Sequence, residues 1–357
     1  MLVCAALFYA CTPESGNDVP EDGTLIEVCL NAGIDGSKVA LDETLLHPSW
    51  QEGDRLAVYD GSAIREFTLF SGAGSSQATF SGQISASASN LKAVYPYSAA
   101  KLEGSKLTYS VPAEQSVSAA GADPQALVMY SEGQLGSALH FSQCTSMLRF
   151  SAPEGIRNLV FRLDEGSVTM NLPGTAGNYA VAINPGSYSG LTLYIVADGG
   201  SYIMESSMPF DITTGLSVSL GELALDESCV IIKTPAELAA FLKSTSAGDK
   251  SRVLILNDID MRGTSFEPAS GFGGFLDGNF RQIDITGGKS PLFGTNNGII
   301  TDLVLTGTPA PSSGLGASLS LTNNGRLINV TNKAKISGSA SAALSYTGKP
   351  WSVWPLR

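Results

Sequence analysis

From Thr24 to about residue 225 the chain runs in short stretches of alternating apolar and polar residues, divided by Gly, Pro and Ser. Leu25-Ile26-Glu27-Val28-Cys29-Leu30 opens the series. Arg55–Tyr59 alternates and stops at Asp60-Gly61, a turn dipeptide that leads to Glu66-Phe67-Thr68-Leu69-Phe70. Further runs follow at 107–111, 147–150, 159–163 and 191–196. Many short strands with no helical pattern between them predict an all-β fold of packed sheets. The length suits two Ig-like β-sandwiches, one over 24–150 and one over 151–226.

After Asp226 the pattern changes. Thr234-Pro235-Ala236-Glu237 has a helix N-cap, a proline at the first helical position and a glutamate three residues after the cap. Leu238, Phe241 and Leu242 repeat at helical spacing, so the sequence predicts a helix over 235–245. Short look-alikes follow. Gly278, Ile283, Ile285, Thr286 and Gly287 recur 20 positions on as Gly298, Leu303, Leu305, Thr306 and Gly307. Thr295-Asn296-Asn297-Gly298 recurs 27 positions on as Thr322-Asn323-Asn324-Gly325. One short apolar strand per unit with Asn-Gly corners predicts stacked coils of a parallel β-helix over 227–338, its open end capped by the helix. The tail 339–357 fits neither pattern.

Composition narrows the function. The 357 residues are 43% hydrophobic and only 15% charged, which excludes a disordered chain or a coiled coil. A net charge of −12 disfavours nucleic acid, which needs a cationic field. Two histidines leave few ways to build a metal or acid/base site.

The first residues concern location. Positions 2–9 are almost all apolar, too few to span a bilayer, and Ala10-Cys11 follows. This resembles a bacterial lipoprotein signal in which Cys11 becomes the acylated (palmitate-bearing) N-terminus. No Lys or Arg precedes the run, so the chain is expected to begin inside that signal, and Phe8 and Tyr9 are bulkier than usual there. Residues 12–23 form an acidic linker. Such stretches resemble those that send lipoproteins of Gram-negative gut and oral anaerobes to the outer face of the outer membrane. Cys29, Cys144 and Cys229 remain, in no zinc spacing, and read as small core residues, with a Cys29–Cys144 bridge as an alternative.

A series of motifs points to a family. Trp50-Gln51-Glu52-Gly53-Asp54-Arg55-Leu56-Ala57-Val58-Tyr59, Val94-Tyr95-Pro96-Tyr97, Val111-Pro112-Ala113-Glu114-Gln115 and Asp123-Pro124-Gln125-Ala126-Leu127-Val128-Met129-Tyr130 occur in the order seen in the fimbrillin-like family. Leu139-His140-Phe141 and Leu148-Arg149-Phe150 continue the resemblance, which covers roughly residues 24 to 225. It implies two transthyretin-like β-sandwiches in a surface lipoprotein acting as a fimbrial subunit, anchor, tip or adhesin. Residues 257–261, 275–279 and 291–294 resemble the right-handed β-helix modules called GLUG-type in bacterial surface adhesins. A chain that continues into such a module is expected to be a tip, an accessory subunit or a stand-alone adhesin. Fimbrial subunits and host or glycan ligands are then the expected partners.

Candidate chemistry is sparse. His47 precedes a proline in a loop, His140 lies in a strand, and no Gly-x-Ser-x-Gly elbow accompanies either. Gly271-Phe272-Gly273-Gly274-Phe275-Leu276 begins like a dinucleotide fingerprint but carries Leu276 where the third glycine belongs. Asp258 and Asp260 lie two apart and so on one side of a strand, which makes them the calcium candidates. Asp277 and Asp284 could approach them, yet no Arg or Lys is expected beside these acids. A non-enzymatic protein without a cofactor is the leading expectation. A glycan-binding lipoprotein using exposed aromatics such as Trp351 and Trp354 is the alternative, and a polysaccharide-cleaving β-helix the lower one.

Overall fold

A computed structural model describes residues 24–35, 49–118, 121–164, 166–311, 315–336, 340–341 and 345–348. Cys11, the acidic linker 12–23, His47, Trp351 and Trp354 lie outside them. The described residues are strand and turn, with one α-helix and two single-turn 3-10 helices, so the fold is all-β. They divide into two compact units. The first holds residues up to Val111 and Leu127–Thr145; the second holds Pro112–Ala126 and the chain from Ser146. The excursion at 112–126 exists because Glu114–Ser116 pairs parallel with Gly166–Asn171 in a sheet of the second unit.

In the first unit seven strands close into a hydrogen-bonded ring. In ring order they are Leu25–Ile34, Leu139–Gln143, Met129–Gln134, Asn90–Tyr95, Arg55–Tyr59, Ile64–Ser71 and Gln77–Ser85. The sequence predicted two open sheets here. Closure comes from the long first strand, which pairs antiparallel with Gln77–Ser85 along residues 25–33 and parallel with residues 139–141 at 32–34. The alternation of Arg55–Tyr59 and its neighbours buries Leu56, Val58, Phe67 and Phe80 inside the ring. Trp50 is 1% exposed and meets Phe80, Tyr95 and Phe141 edge-on at 5.0, 5.4 and 5.4 Å between ring centres. It enters beside a tight turn with Gly53 at φ 87°. There Asp54 accepts hydrogen bonds from the Gln51 amide and the Tyr95 hydroxyl.

The second unit begins with a three-stranded sheet of Gly177–Ile183, Ser146–Ala152 and Ser217–Glu222. A five-stranded sheet runs Gly200–Ser206, Leu191–Ala197, Ile156–Leu163, Gly166–Asn171 and Glu114–Ser116. Both contribute to one core that includes Leu148, Phe150, Phe161, Met170, Val181 and Ile195.

Residues beyond Val230 stack parallel strands in three columns. One column holds Val230–Ile232, Arg252–Ile255, Phe275–Asp277, Ile299–Thr301 and Arg326–Ile328. The others hold Ile259–Asp260, Gln282–Asp284, Val304–Thr306, Thr331–Asn332 and Ala269–Phe272, Phe293–Asn296, Ser320–Asn323, Ser345–Gly348. Val253, Leu276 and Ile300 point inward one above another and share a core with Ile283, Leu305, Phe272 and Phe293. Three successive coils turn at a left-handed corner, Asn279-Phe280, Asp302 and Asn329, with φ between 51° and 57°. Gly274, Gly298 and Gly325 form a column in which no side chain fits. A Cβ on Gly298 would lie 2.2 Å from the Gly274 carbonyl, and one on Gly325 1.9 Å from the Gly298 carbonyl.

The 27-residue repeat is realised as Thr295 over Thr322 and Asn296 over Asn323. The 20-residue shift is corrected. Ile283 pairs with Leu305, 22 positions on, where the repeat had placed Leu303. A slip of two residues keeps the same face inward, so the apolar pattern alone does not expose it. The helix forms as predicted at Pro235–Ser244. Thr234 accepts from the Glu237 amide at 3.2 Å and the Glu237 carboxylate accepts from the Thr234 amide at 2.9 Å. Its Leu238, Phe241 and Leu242 join the core of the stack.

Candidate functional site

In the first unit the Asp60-Gly61 turn, the start of the next strand and the end of Gln77–Ser85 enclose a polar groove of about 390 Å³. Asp60, Ser62, Arg65, Ser85, Ser87 and Asn90 line it together with Gly61 and Ser89. The local sequence explains the arrangement. Gly61 takes φ 94°, and Asp60 closes the turn by accepting from the Ser62 amide and hydroxyl at 2.9 and 2.7 Å and the Ala63 amide at 2.9 Å. Its other oxygen accepts from Arg65 Nε at 2.9 Å and from the buried Ser85 amide at 3.0 Å. Burial by itself would raise the Asp60 pKa, but the hydrogen bonds from Ser62, Ala63, Arg65 and Ser85 outweigh it and hold the carboxyl well below the usual range. The carboxylate is fully covered, whereas the Arg65 side chain is 28% exposed. Neither Arg65 Nη has a hydrogen-bond partner among the described residues. Ser85 and Ser87 join their hydroxyls at 2.8 Å.

The residues singled out in the sequence are placed elsewhere. Asp258 and Asp260 stand exposed on the stack, and Asp260 is held by Arg262 through Nε at 2.9 and 3.0 Å and Nη2 at 2.5 Å. The Arg262 side chain and amide lower the Asp260 pKa to about 2. Asp258 accepts from the Gln282 amide at 2.8 Å. Among the described residues no cluster of three or more His, Cys, Asp or Glu could hold a metal ion. Asp284 does come beside Asp260, paired with it on the next coil of the same column, whereas Asp277 belongs to a different column. His140 is an exposed strand residue with Nδ1 3.5 Å from Asp35. The glycines at 271, 273 and 274 are packing positions: a Cβ at each would collide with the chain between Ala247 and Ser251. The three described cysteines are free, and Cys29 is exposed on a strand, so its reading as a core residue is corrected. It faces out because Leu30, one residue on, faces in.

The expectation that no basic residue accompanies the acids is also corrected. Arg162 is 9% exposed and binds Asp277 through Nε at 2.8 Å, Asp302 through Nη2 at 2.6 Å and the Gly166 carbonyl through Nη1 at 3.2 Å. Its guanidinium lies 4.8 Å from the centre of the Phe280 ring. Tyr194 donates to Asp277 at 3.4 Å and Asn329 to Asp302 at 2.8 Å. Burial raises the Asp277 pKa against the pull of Arg162. Beside this cluster Val160, Tyr194, Ile203, Leu254 and Leu256 form one apolar contact, so it ties the five-stranded sheet to the stack. These acids are separated by 115 and 140 residues from Arg162, beyond the reach of any sequence motif. The Asp60 groove stays hidden for another reason: Asp60-Gly61 reads as a turn, and although Arg65 stands five positions on, Ser85 is 25 residues away and arrives only through the fold.

Comparison with protein families and with curated proteins finds no match. Among solved structures, a protein from Bacteroides ovatus provisionally named a cell adhesion protein is 11% identical, with TM-score 0.35, over 57% of this chain and 96% of its own. Another so named, from Bacteroides uniformis, is 16% identical with TM-score 0.32 over 58% and 97%. A fimbrial assembly protein from Parabacteroides distasonis is 10% identical with TM-score 0.29 over 55% and 91%. Likenesses this distant fix neither the fold nor the activity of this chain.

Proposed function

We propose that the protein is a surface-exposed outer-membrane lipoprotein, anchored through Cys11, that acts in cell adhesion or as a fimbrial tip or accessory subunit. In this reading the second unit is a β-sandwich continued by a right-handed parallel β-helix. The observation that carries it is the polar ladder on the stack. Asn296 donates to Asn323 at 2.7 Å and Asn324 to Asn297 at 3.1 Å, and Asn297 and Asn324 present their amides at successive corners. A ladder fixed by the backbone needs little ordering when it meets a partner, which suits a contact surface. It also suits strand addition or glycan contact better than it suits bond cleavage. A non-enzymatic role without a cofactor belongs to the same reading.

The test is attachment. Beads carrying the purified full chain are expected to bind mucin or epithelial surfaces, and a double substitution, Asn297→Lys with Asn324→Glu, to lower binding at least fivefold. Equal binding by the variant would remove the ladder from the reading, and absence of binding by the native chain on all surfaces would remove adhesion. The groove around Asp60 favours a second reading, a glycan-binding lipoprotein for polysaccharide capture, because its hydroxyl and amide lining matches sugar hydroxyls.

A further inference from the structure

We infer that the groove between Asp60 and Asn90 binds a carboxylated sugar, with Arg65 as the residue that selects the carboxylate. The inference rests on the glycan-binding reading and names its ligand class. Its starting point is a count of donors and acceptors. Asp60, the one acid lining the groove, is covered and already accepts five hydrogen bonds, so it offers nothing to a ligand. What remains is rich in donors: both Nη groups of Arg65, the hydroxyls of Ser87 and Ser89, and the Asn90 amide.

Arg65 is also pre-oriented. Its Nε is fixed on Asp60, so the guanidinium plane is set and its outer edge is left as a two-pronged donor. Two parallel N–H groups match the two oxygens of a carboxylate, and flanking hydroxyls match the ring hydroxyls of the same sugar. A space of about 390 Å³ admits one or two sugar rings. The overall charge of −12 opposes an acidic ligand only at long range, because physiological salt screens beyond about 8 Å. The Asp60–Arg65 pair itself is neutral, so the contact is specific and weak, as suits a surface that captures a polymer at many points.

Arg65 also borders a second depression, on a side where Glu27, Glu66 and Gln83 join it. That side carries acids, so it does not compete for the same anion.

The experiment is titration of the full chain by calorimetry and saturation-transfer NMR with methyl galacturonide, and with methyl galactoside as the same ring lacking the carboxylate. The expected result is binding of the galacturonide at least tenfold tighter than the galactoside. Arg65→Gln is expected to abolish that difference. Because Arg65 also holds Asp60, a second variant, Ser89→Trp, fills the groove without touching that pair and is expected to remove galacturonide binding. Equal binding of both sugars by the native chain, lost in Ser89→Trp, would overturn the carboxylate assignment and leave glycan capture standing. Galacturonide binding unchanged in both variants would place the sugar elsewhere and overturn the assignment to this groove. Binding of neither sugar would overturn the assignment together with the glycan-binding reading of the groove.

Discussion

In the seven-stranded ring of the first unit every strand has a neighbour on each side, and residues far apart in sequence must meet before any of it is stable. In the parallel stack each coil meets only the coil before and the coil after it. The ring rests on strands of up to ten residues around Trp50 and its aromatic contacts. The stack rests on strands of two to four residues in the columns, held by repeated small devices: a glycine column, an asparagine ladder and left-handed corners. A fault in the ring therefore spreads through the unit, and one in the stack stays within neighbouring coils. The exceptions lie where the five-stranded sheet meets the stack: Arg162 holds three coil residues, and Leu254 and Leu256 pack on Val160, Tyr194 and Ile203.

The strongest way to break this contrast is Arg162→Met. It leaves Asp277 buried without its cation, and a broken buried pair costs about 3 to 5 kcal/mol. Hydrogen exchange is expected to rise together in residues 156–163, 275–280 and 300–305. A rise confined to 156–163 would show that the cluster does not couple sheet and stack. Next comes Gly298→Val, expected to cost about 3 kcal/mol because the new Cβ meets the Gly274 carbonyl. Exchange should increase in the coils around residues 274, 298 and 325 and remain native in the ring.

Asp60→Asn is expected to cost the first unit about 2 kcal/mol, since it weakens charge-assisted bonds to Arg65 and the turn. It also carries a pH signature. The Asp60 pKa lies below its ordinary 3.8, so its stabilisation is present above that value and is lost as pH falls through the folded-state pKa. Asp277, whose pKa is raised, contributes in the opposite sense: its share is present below 3.8 and is lost as pH rises through its folded-state pKa. On acidification from pH 5 to pH 3, exchange corrected for intrinsic rates should increase around residues 60–85 in the native chain. In Asp60→Asn that increase should be largely gone. Thr234→Ala is the smallest change, about 1 kcal/mol from the lost cap, read as faster exchange in residues 235–244 alone.

The sequence made the local rules visible. Arg55–Tyr59 reads as a strand because one face is apolar, Pro235–Ser244 as a helix because both halves of its capping box are in the chain, and Thr295-Asn296-Asn297-Gly298 as a repeat because the same corner is used twice. What stayed hidden depends on contacts with no local signature. The parallel patch of residues 32–34 on 139–141 closes the ring, and nothing in either strand marks it. The excursion of Glu114–Ser116 into the second unit is similarly silent, as is the meeting of Arg162 with Asp277 and Asp302. At the groove, Asp60 and Arg65 are five residues apart and readable as a pair, but the part played by Ser85 depends on the strand that returns beside the turn.

The most direct measurement is protease accessibility on intact cells that carry either the native chain or Cys11→Ala. The account predicts that external protease digests the native protein and that the variant is lost from the outer envelope. A native protein that stays protected until the cells are opened would contradict the account and place the protein inside the periplasm.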